Sequence, residues 1–584
     1  MPDTTSTQTH HDTSRRSFLS KSGQLAAAGV VAGWLPAFTV NASAQLPAPQ
    51  NFPSHIRLYK QGFKNWAGDI QVDALWTCSP SSPEQVVQVV NWAKNQNYRV
   101  RPRGMMHNWS PLTLSPDQPN GNLIMLDMTQ HLTQVSINTR TLPAVVTAQT
   151  GIQMEHLLQK LQDVGLGVTA CPAPGDLTLG GVLAIDGHGT AVPAKGESRS
   201  LGHTYGSFSN LILSMTAVVF DADQNQYVLK TFQRDHHDMQ ALLVHLGRAL
   251  ITSVTFQAGQ NQRLRCISRV DIPAKELFAK DPKAGRTFSS FLDSAGRAEA
   301  IWFPFTEHPW LKVWSVCPRR PLFSRPVFKP FNYLFSDRLP SVLTNLIEDI
   351  VLHGKGHLTP LFGQTALAIS TVGLISTGTK DIWGWSKDLL LYVKPTTLRV
   401  TANGYAVQTR RDNVQRVLHD FIEFYRDRIE AYRQLGRYPM NGPIEIRVTG
   451  LDQPHEVTRA NPQIPALSAV KPCPNNPDWD CAVWFDILTF PNTPYANQFY
   501  REIEQWMWQR YRGDSLIRPE WSKGWGYTAD AAWQDTQVIN HIVPASLSAG
   551  GQPAAQHLNA SAATLNRLDP YRLFSSPLLD KLLP

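Results

Sequence analysis

The sequence predicts an α+β protein of two domains, and three observations carry that expectation. At 584 residues the chain is longer than one ordinary hydrophobic core accommodates. Between Ser79 and Phe256, an amphipathic helix and several apolar strands are punctuated by glycine-rich turns. From Arg269 the texture changes to strands joined by long connections rich in proline and aromatic residues, as in a mixed or antiparallel sheet covered by helices. The expected divisions are residues 1–44, 45–268 and 269–515, with 516–584 returning to the first domain.

Composition narrows the function classes. Hydrophobic residues at 42% and charged residues at 17% describe a globular chain rather than a disordered one. The net charge of +8 is spread thinly, without a basic run, which argues against nucleic acid as a partner. Most of the 17 tryptophans lie between Trp302 and Trp533, where large apolar surfaces need covering.

The first 44 residues read as a processing signal. Arg15 and Arg16 precede an apolar run from Leu25 to Val40 and the small-residue pattern Ala42-Ser43-Ala44. This order resembles a bacterial twin-arginine export signal and implies a secreted or periplasmic protein, exported already folded and often around a cofactor; the alternative is an uncleaved basic tail. No partner protein is implied beyond the export machinery. Six cysteines are too few for a disulfide scaffold and have no metal-site spacing; Cys473 and Cys481 are either bridged or free.

The first domain follows element by element. Ser82-Pro83-Glu84 caps a helix whose face is built by Val86, Val87, Val89, Val90, Trp92 and Ala93. Arg99 to Arg101 is a short strand, and Gly104 opens the turn "GMMHNWSP", where backbone amides can approach an anion. A second cluster, "PGDLTLGGVLAIDGHGT", places Gly180, Gly181, Gly187 and Gly189 at two further close approaches. Neither cluster is a GxGxxG after a strand, so a Rossmann domain is not expected. "YGSFSNLILSMTAVVFDADQNQYVL" reads as strand, turn and strand, and "HLGRALITSVTF" as a glycine turn and strand.

In this order the segments from Leu58 to Phe256 resemble the flavin domain of the vanillyl-alcohol oxidase family. The resemblance implies the two-domain FAD fold of that family, with 45–268 as the FAD-binding domain and 269–515 as the substrate-binding domain. Gly104-Met105-Met106-His107 fits the family's Gly-x-x-His pattern, which implies FAD bonded covalently to His107. A neutral imidazole is a suitable nucleophile toward the activated 8-methyl carbon of the flavin ring. Further implied cofactor contacts are Arg103, Gly104, Met105, Met106, Ser110, Pro174, Thr178, Gly180, Gly181, His188, Gly189, Ser207, Ile251 and Lys523, the last as a cation near the reduced ring.

In the second domain, Arg319 to Leu339 is loop-like and carries Phe323, Phe328, Phe331, Tyr333, Leu334 and Phe335. It is either a lid or docking surface for a lipid, or packing beneath a long connection. Asn413 to Tyr432 is the clearest helix. In "PIEIRVTGL", Glu445 and Arg447 share one face of a strand, about 6.6 Å apart. They form either a surface ion pair or, if that face lines a cavity, a base with its orienting cation.

The leader, the Gly-x-x-His-x-Trp-Ser-Pro turn, "AEAIWFPF", the "EIR" strand and "RPEWSKGWGY" together resemble the bacterial cholesterol oxidases with covalently bound FAD. That resemblance implies Glu445, Arg447 and Glu299 as the catalytic set. It also implies a 3β-hydroxysterol and molecular oxygen as substrates, a 4-en-3-one and hydrogen peroxide as products, and transient contact with lipid surfaces. A carboxylate, Glu445 or Glu299, would carry the isomerising proton. The alternatives are a polyol or sugar-lactone oxidase of the same flavin family, in which a histidine often stands before the Trp that here follows Glu520, and a flavin-free lipid-binding protein.

Overall fold

The computed structural model describes residues 47–115, 121–333 and 339–584. Arg15, Arg16 and the rest of the expected export signal, together with Leu334 and Phe335, lie outside the described residues.

The N-terminal region contains two sheets. The first has strand order Arg57–Lys64, Gln71–Ser79, Leu123–Asp127, Arg99–Arg103, its last three strands parallel. Helix Pro83–Gln96 covers it, started by Ser82, whose side chain accepts a hydrogen bond from the Gln85 amide, and stopped by Asn97 in the left-handed region. The second sheet runs Val135–Asn138, Ala144–Gln149, Leu250–Gln260, Ile212–Asp221, Gln226–Gln233. The "YGS" turn leads through the single helical turn Phe208–Leu211 into one of its strands, and the glycine turn at Gly247 leads into another.

A nine-stranded sheet dominates the rest of the chain. Its order is Arg325–Val327, Asp381–Trp385, Arg263–Arg269, Trp310–Val316, Arg297–Trp302, Ile444–Gly450, Cys481–Thr489, Thr401–Thr409, Leu516–Pro519. One face packs on the amphipathic helix Val414–Gln434, where Phe421 meets Phe485 at 4.2 Å between ring centroids. The other face looks toward the glycine turns of the first domain.

Two boundaries differ from the sequence expectation. Arg263–Arg269 pairs with Trp310–Val316 and Asp381–Trp385, so the second domain begins at Arg263 and not at Arg269. Leu516–Pro519 is likewise an edge strand of the large sheet. The change of texture follows that first strand because Arg263–Arg269 alternates buried and half-buried residues like the strands before it. The chain then returns to the first domain around Asp569, which accepts from Tyr227 Oη and Arg248 Nη1, while Leu573 and Phe574 join the core beneath helix Pro83–Gln96.

The turn after Arg99–Arg103 also differs in detail. The left-handed residue is Met106, at φ 58°, and not Gly104. Gly104 is needed for a different reason, since a Cβ there would meet Thr178 Oγ1 at 2.6 Å. The six cysteines are free thiols. Cys473 donates to Gln408 Oε1 at 3.0 Å and Cys481 to the Thr409 carbonyl at 3.5 Å.

Candidate active site

Strand register assembles a charged belt across the cavity face of the large sheet. Lys312 stands opposite Glu299, Glu299 opposite Arg447, and Glu445 opposite Asp486, so side chains from four adjacent strands share one face. Arg447 Nε donates to Glu299 Oε1 at 2.8 Å and Nη1 to Asp486 Oδ2 at 2.5 Å, while Nη2 donates to Glu445 Oε2. Glu299 accepts as well from Lys312 Nζ at 3.0 Å and Tyr392 Oη at 2.5 Å. Lys523 Nζ lies 3.3 Å from Asp486 Oδ2 and 4.0 Å from the centroid of the Trp109 ring. Its stem crosses the sheet at Gly404, where a Cβ would meet Lys523 Cγ at 2.6 Å.

The carboxyls of this belt are driven apart in proton affinity. Burial opposes ionisation of Glu299, but Lys312 and Arg447 outweigh it and hold the group below the usual carboxylate range. Burial is likewise outweighed at Asp486, by Lys523 and Arg447, and that group stays ionised. At Glu520 burial prevails, reinforced by the adjacent Asp486 charge, and its carboxyl is raised. The Arg447 guanidinium is held charged against its burial by Glu299 and Glu445.

Two cavities meet at His107. One, of about 140 Å³, is lined by the glycine turns of the first domain; the other, of about 270 Å³, lies between those turns and the large sheet. The larger is walled by Ile301, Phe303, Trp314, Phe362, Leu390 and Phe490, with Glu445, Arg447, Asp486, Glu520 and Lys523 gathered in it as polar groups. The His107 ring stacks on Trp66 at 3.8 Å and meets Trp109 edge-on at 5.8 Å. Burial lowers its pKa, partly offset by Asp176, so the imidazole is neutral. Its Nδ1 lies 3.6 Å from Asp176 Oδ1 and has no hydrogen-bond partner among the described residues.

Most of the expected cofactor residues line one of these spaces. Arg103, Gly104, Met105, Met106, Ser110, Thr178, Gly180, Gly181 and Ile251 line the smaller cavity, and Pro174, His188, Gly189 and Lys523 the larger. Ser207 lines neither; its amide and hydroxyl donate to Asp452, which places it in the seam between domains. Glu299 lies behind the cavity and not on its wall. It is fully buried behind Arg447, accepts from three donors and is absent from the cavity wall, an arrangement in which it holds Arg447 in place. Sequence reading missed Asp486, Tyr392, Lys312 and Asp176. Asp486 and Lys312 sit within otherwise apolar strands, which is a signal, but their partners are strands remote in sequence.

Comparisons with known proteins agree with this layout. Residues 263–584 match the family model for the cholesterol oxidase substrate-binding domain, and residues 75–221 match an FAD binding domain. A solvent-stable cholesterol oxidase is 60% identical, with a TM-score of 0.91 over 92% of this chain and 100% of that one. A cholesterol oxidase from B. sterolicum is 45% identical, with a TM-score of 0.90 over 93% of this chain and 100% of that one. L-gulonolactone oxidase of Scyliorhinus torazame is 23% identical over 42% of this chain and 49% of its own length. The chain thus spans about half the length of the curated relatives it matches.

Glu299→Ala is expected to leave Lys312, only 1% exposed, without its counter-charge, at a cost of about 3–5 kcal/mol in denaturant unfolding. Because the Glu299 pKa is depressed on folding, its contribution is present above the ordinary carboxylate range and is lost as pH falls through the depressed value. The stability gap between wild type and Glu299→Gln should therefore narrow on acidification; a constant gap would show that Glu299 is not ionised in the native state.

Proposed function

This chain belongs to the cholesterol oxidase family of FAD-binding proteins, and on that premise we propose that it oxidises the 3β-hydroxyl of cholesterol-like sterols to the ketone, with oxygen converted to hydrogen peroxide. The observation that carries this reading is a cavity that is apolar over most of its wall and carries one cluster of acid, base and cation. A tetracyclic alcohol with a single polar handle suits such a space, whereas a polyol or sugar lactone needs several donors and acceptors along its length.

The residues present fit FAD. His107 offers a neutral, unpartnered nitrogen where the two cavities meet, and the smaller cavity is floored by glycine backbone. His107, Gly104, Thr178, Gly180 and Gly181 would hold the cofactor, with covalent attachment proposed at His107. When bound, FAD supplies the hydride acceptor for the sterol C3 carbon and is regenerated by oxygen.

The protein's own groups handle the proton. Glu445 is the most accessible carboxylate of the belt, its side chain 24% exposed against 2% for Asp486, and we assign it as acceptor of the hydroxyl proton. Arg447 fixes its orientation, and Lys523 places a cation at the cavity end nearest Trp109 and His107. Once the hydroxyl proton has left with the peroxide, which takes up both the hydride and that proton, the free Glu445 carboxylate would carry a proton from C4 to C6 when the 5-ene is moved into conjugation. Glu299, off the cavity wall, is unsuited to that role.

Export and contact with lipid belong to the same proposal. Export is supported by Arg15-Arg16 and the apolar run after it. Lipid contact is supported by an exposed apolar rim. Leu322, Phe323 and Phe328 project from the loop that Arg325 ties to the Thr377 carbonyl, close to exposed Val372 and Ile375 of helix Thr359–Ser376. That helix, with the turn before it, is long and apolar enough to cross a membrane, and a third of it is buried. Its inner side, through Phe362 and Ala366, lines the larger cavity, so the rim and the sterol space are two sides of one helix.

Peroxide release assayed in parallel on cholesterol, alditols and aldonolactones should be confined to the sterol, and Glu445→Gln should lower kcat about 10²–10⁴-fold with the flavin retained; turnover of alditols or lactones alone overturns the assignment. The yellow chromophore should stay with the acid-precipitated protein and become extractable in His107→Ala. Phe323→Ser with Phe328→Ser should weaken binding to cholesterol-containing vesicles while leaving turnover of detergent-dispersed sterol unchanged, and equal vesicle binding would remove the lipid-contact role of this loop.

A further inference from the structure

We propose that His245 is a neutral hydrogen-bond donor to the diphosphate of FAD, seated above the uncompensated charge of Arg101. The proposal deepens the cofactor reading above and rests on it.

His245 lies in the turn that leads into strand Leu250–Gln260, is 4% exposed, and lines the smaller cavity. The turn is tightly held, with Leu246 at φ 56° and Gly247 at φ 86°, and the Leu246 amide donates to the Ala184 carbonyl at 2.8 Å. Its tautomer follows from one bond. The Gly247 amide points at Nδ1 at 3.2 Å, and since an amide N–H can only donate, Nδ1 is the acceptor and the ring proton sits on Nε2. Burial and neighbouring Arg101 push the imidazole pKa down to about 3, so the ring stays neutral with one N–H. That Nε2–H is buried and has no hydrogen-bond partner among the described residues. A buried donor without an acceptor is costly, and here it borders a cavity of the cofactor-binding domain.

Arg101 indicates which acceptor is expected. Its Nε donates to the Thr113 carbonyl at 2.9 Å, Nη2 to Leu112 at 2.6 Å, and Nη1 to Gly247 at 2.8 Å and to Phe574. All these acceptors are uncharged carbonyls. The carboxylates that act on it from a distance are committed elsewhere, Asp569 to Arg248 at 2.6 Å and Asp580 to Arg99 at 2.9 Å and Arg572 at 3.0 Å. A buried cation without a contacting carboxylate favours an anion in the adjoining cavity, and the orphan N–H of His245 selects an anionic oxygen. In FAD the diphosphate supplies one.

The test compares FAD and riboflavin binding in the His107→Ala background, where retention reports affinity, with His245 intact, His245→Gln and His245→Phe. Phe removes the donor and keeps the ring; Gln restores an amide donor. FAD binding is expected to weaken about tenfold or more in His245→Phe and to recover in His245→Gln, while binding of riboflavin, which has no phosphate, stays nearly unchanged in both. Should His245→Phe not fold, long-range ¹H–¹⁵N spectra of the flavin-loaded wild-type protein decide, the expected proton being on Nε2 and shifted by an oxygen acceptor. A yellow parent whose His245→Phe variant binds FAD equally well, or a proton found on Nδ1, overturns the role of His245 alone. A colourless wild-type protein overturns the cofactor reading beneath it.

Discussion

A guanidinium buried among Glu299, Glu445 and Asp486 costs several kcal/mol to desolvate, so Arg447 keeps its place only while those carboxylates stay within reach. They come from three adjacent strands, and a one-residue slip of any strand would send its carboxylate to the opposite face. The belt therefore locks the register at the centre of the large sheet, and that register holds Glu445 at the cavity wall. Lys312 and Tyr392 extend the constraint inward through Glu299, and Lys523 extends it outward through Asp486. The ionic arrangement is a device of position more than of net stability, because the desolvation of so many charges consumes much of what their attraction supplies.

The second organising feature is the meeting of two cavities at His107. The first domain contributes backbone, with glycines closely packed against Thr178 and Thr150, and the second contributes titratable side chains on a rigid sheet. Cofactor retention and proton handling are thereby assigned to different chemistry: a neutral, aromatic-packed imidazole on one side and a charged belt on the other. Glu520 and His188 both line the larger cavity, 3.9 Å apart, with His188 stacked on Trp484 at 3.7 Å.

Much of the fold was legible because its signals are local. Ser82-Pro83 announces the helix at Pro83–Gln96, the three-four spacing from Val414 to Tyr432 announces the longest helix, and the alternation in "PIEIRVTGL" puts Glu445 and Arg447 on one face. The turn that carries His107 to the cavity wall was legible as well. The position of Glu299 was not legible, because an acidic residue in an apolar strand looks the same whether it faces a cavity or lies behind an arginine. The bond from Ser207 to Asp452, 245 residues away, was out of reach for a similar reason. The left-handed residue at Met106 was hidden by a glycine two positions earlier that is required for close approach instead.

The sequence by itself determined which segments are helix, strand and glycine turn, and which residue types face the same way along each strand. These follow from backbone conformational preference and the periods of 3.6 and 2. Tertiary structure alone decided which carboxylate meets the cavity, which nitrogen of a buried histidine is left without a partner, and which arginine lacks a counter-charge. Those properties depend on distance and desolvation between segments hundreds of residues apart, and no local pattern encodes them.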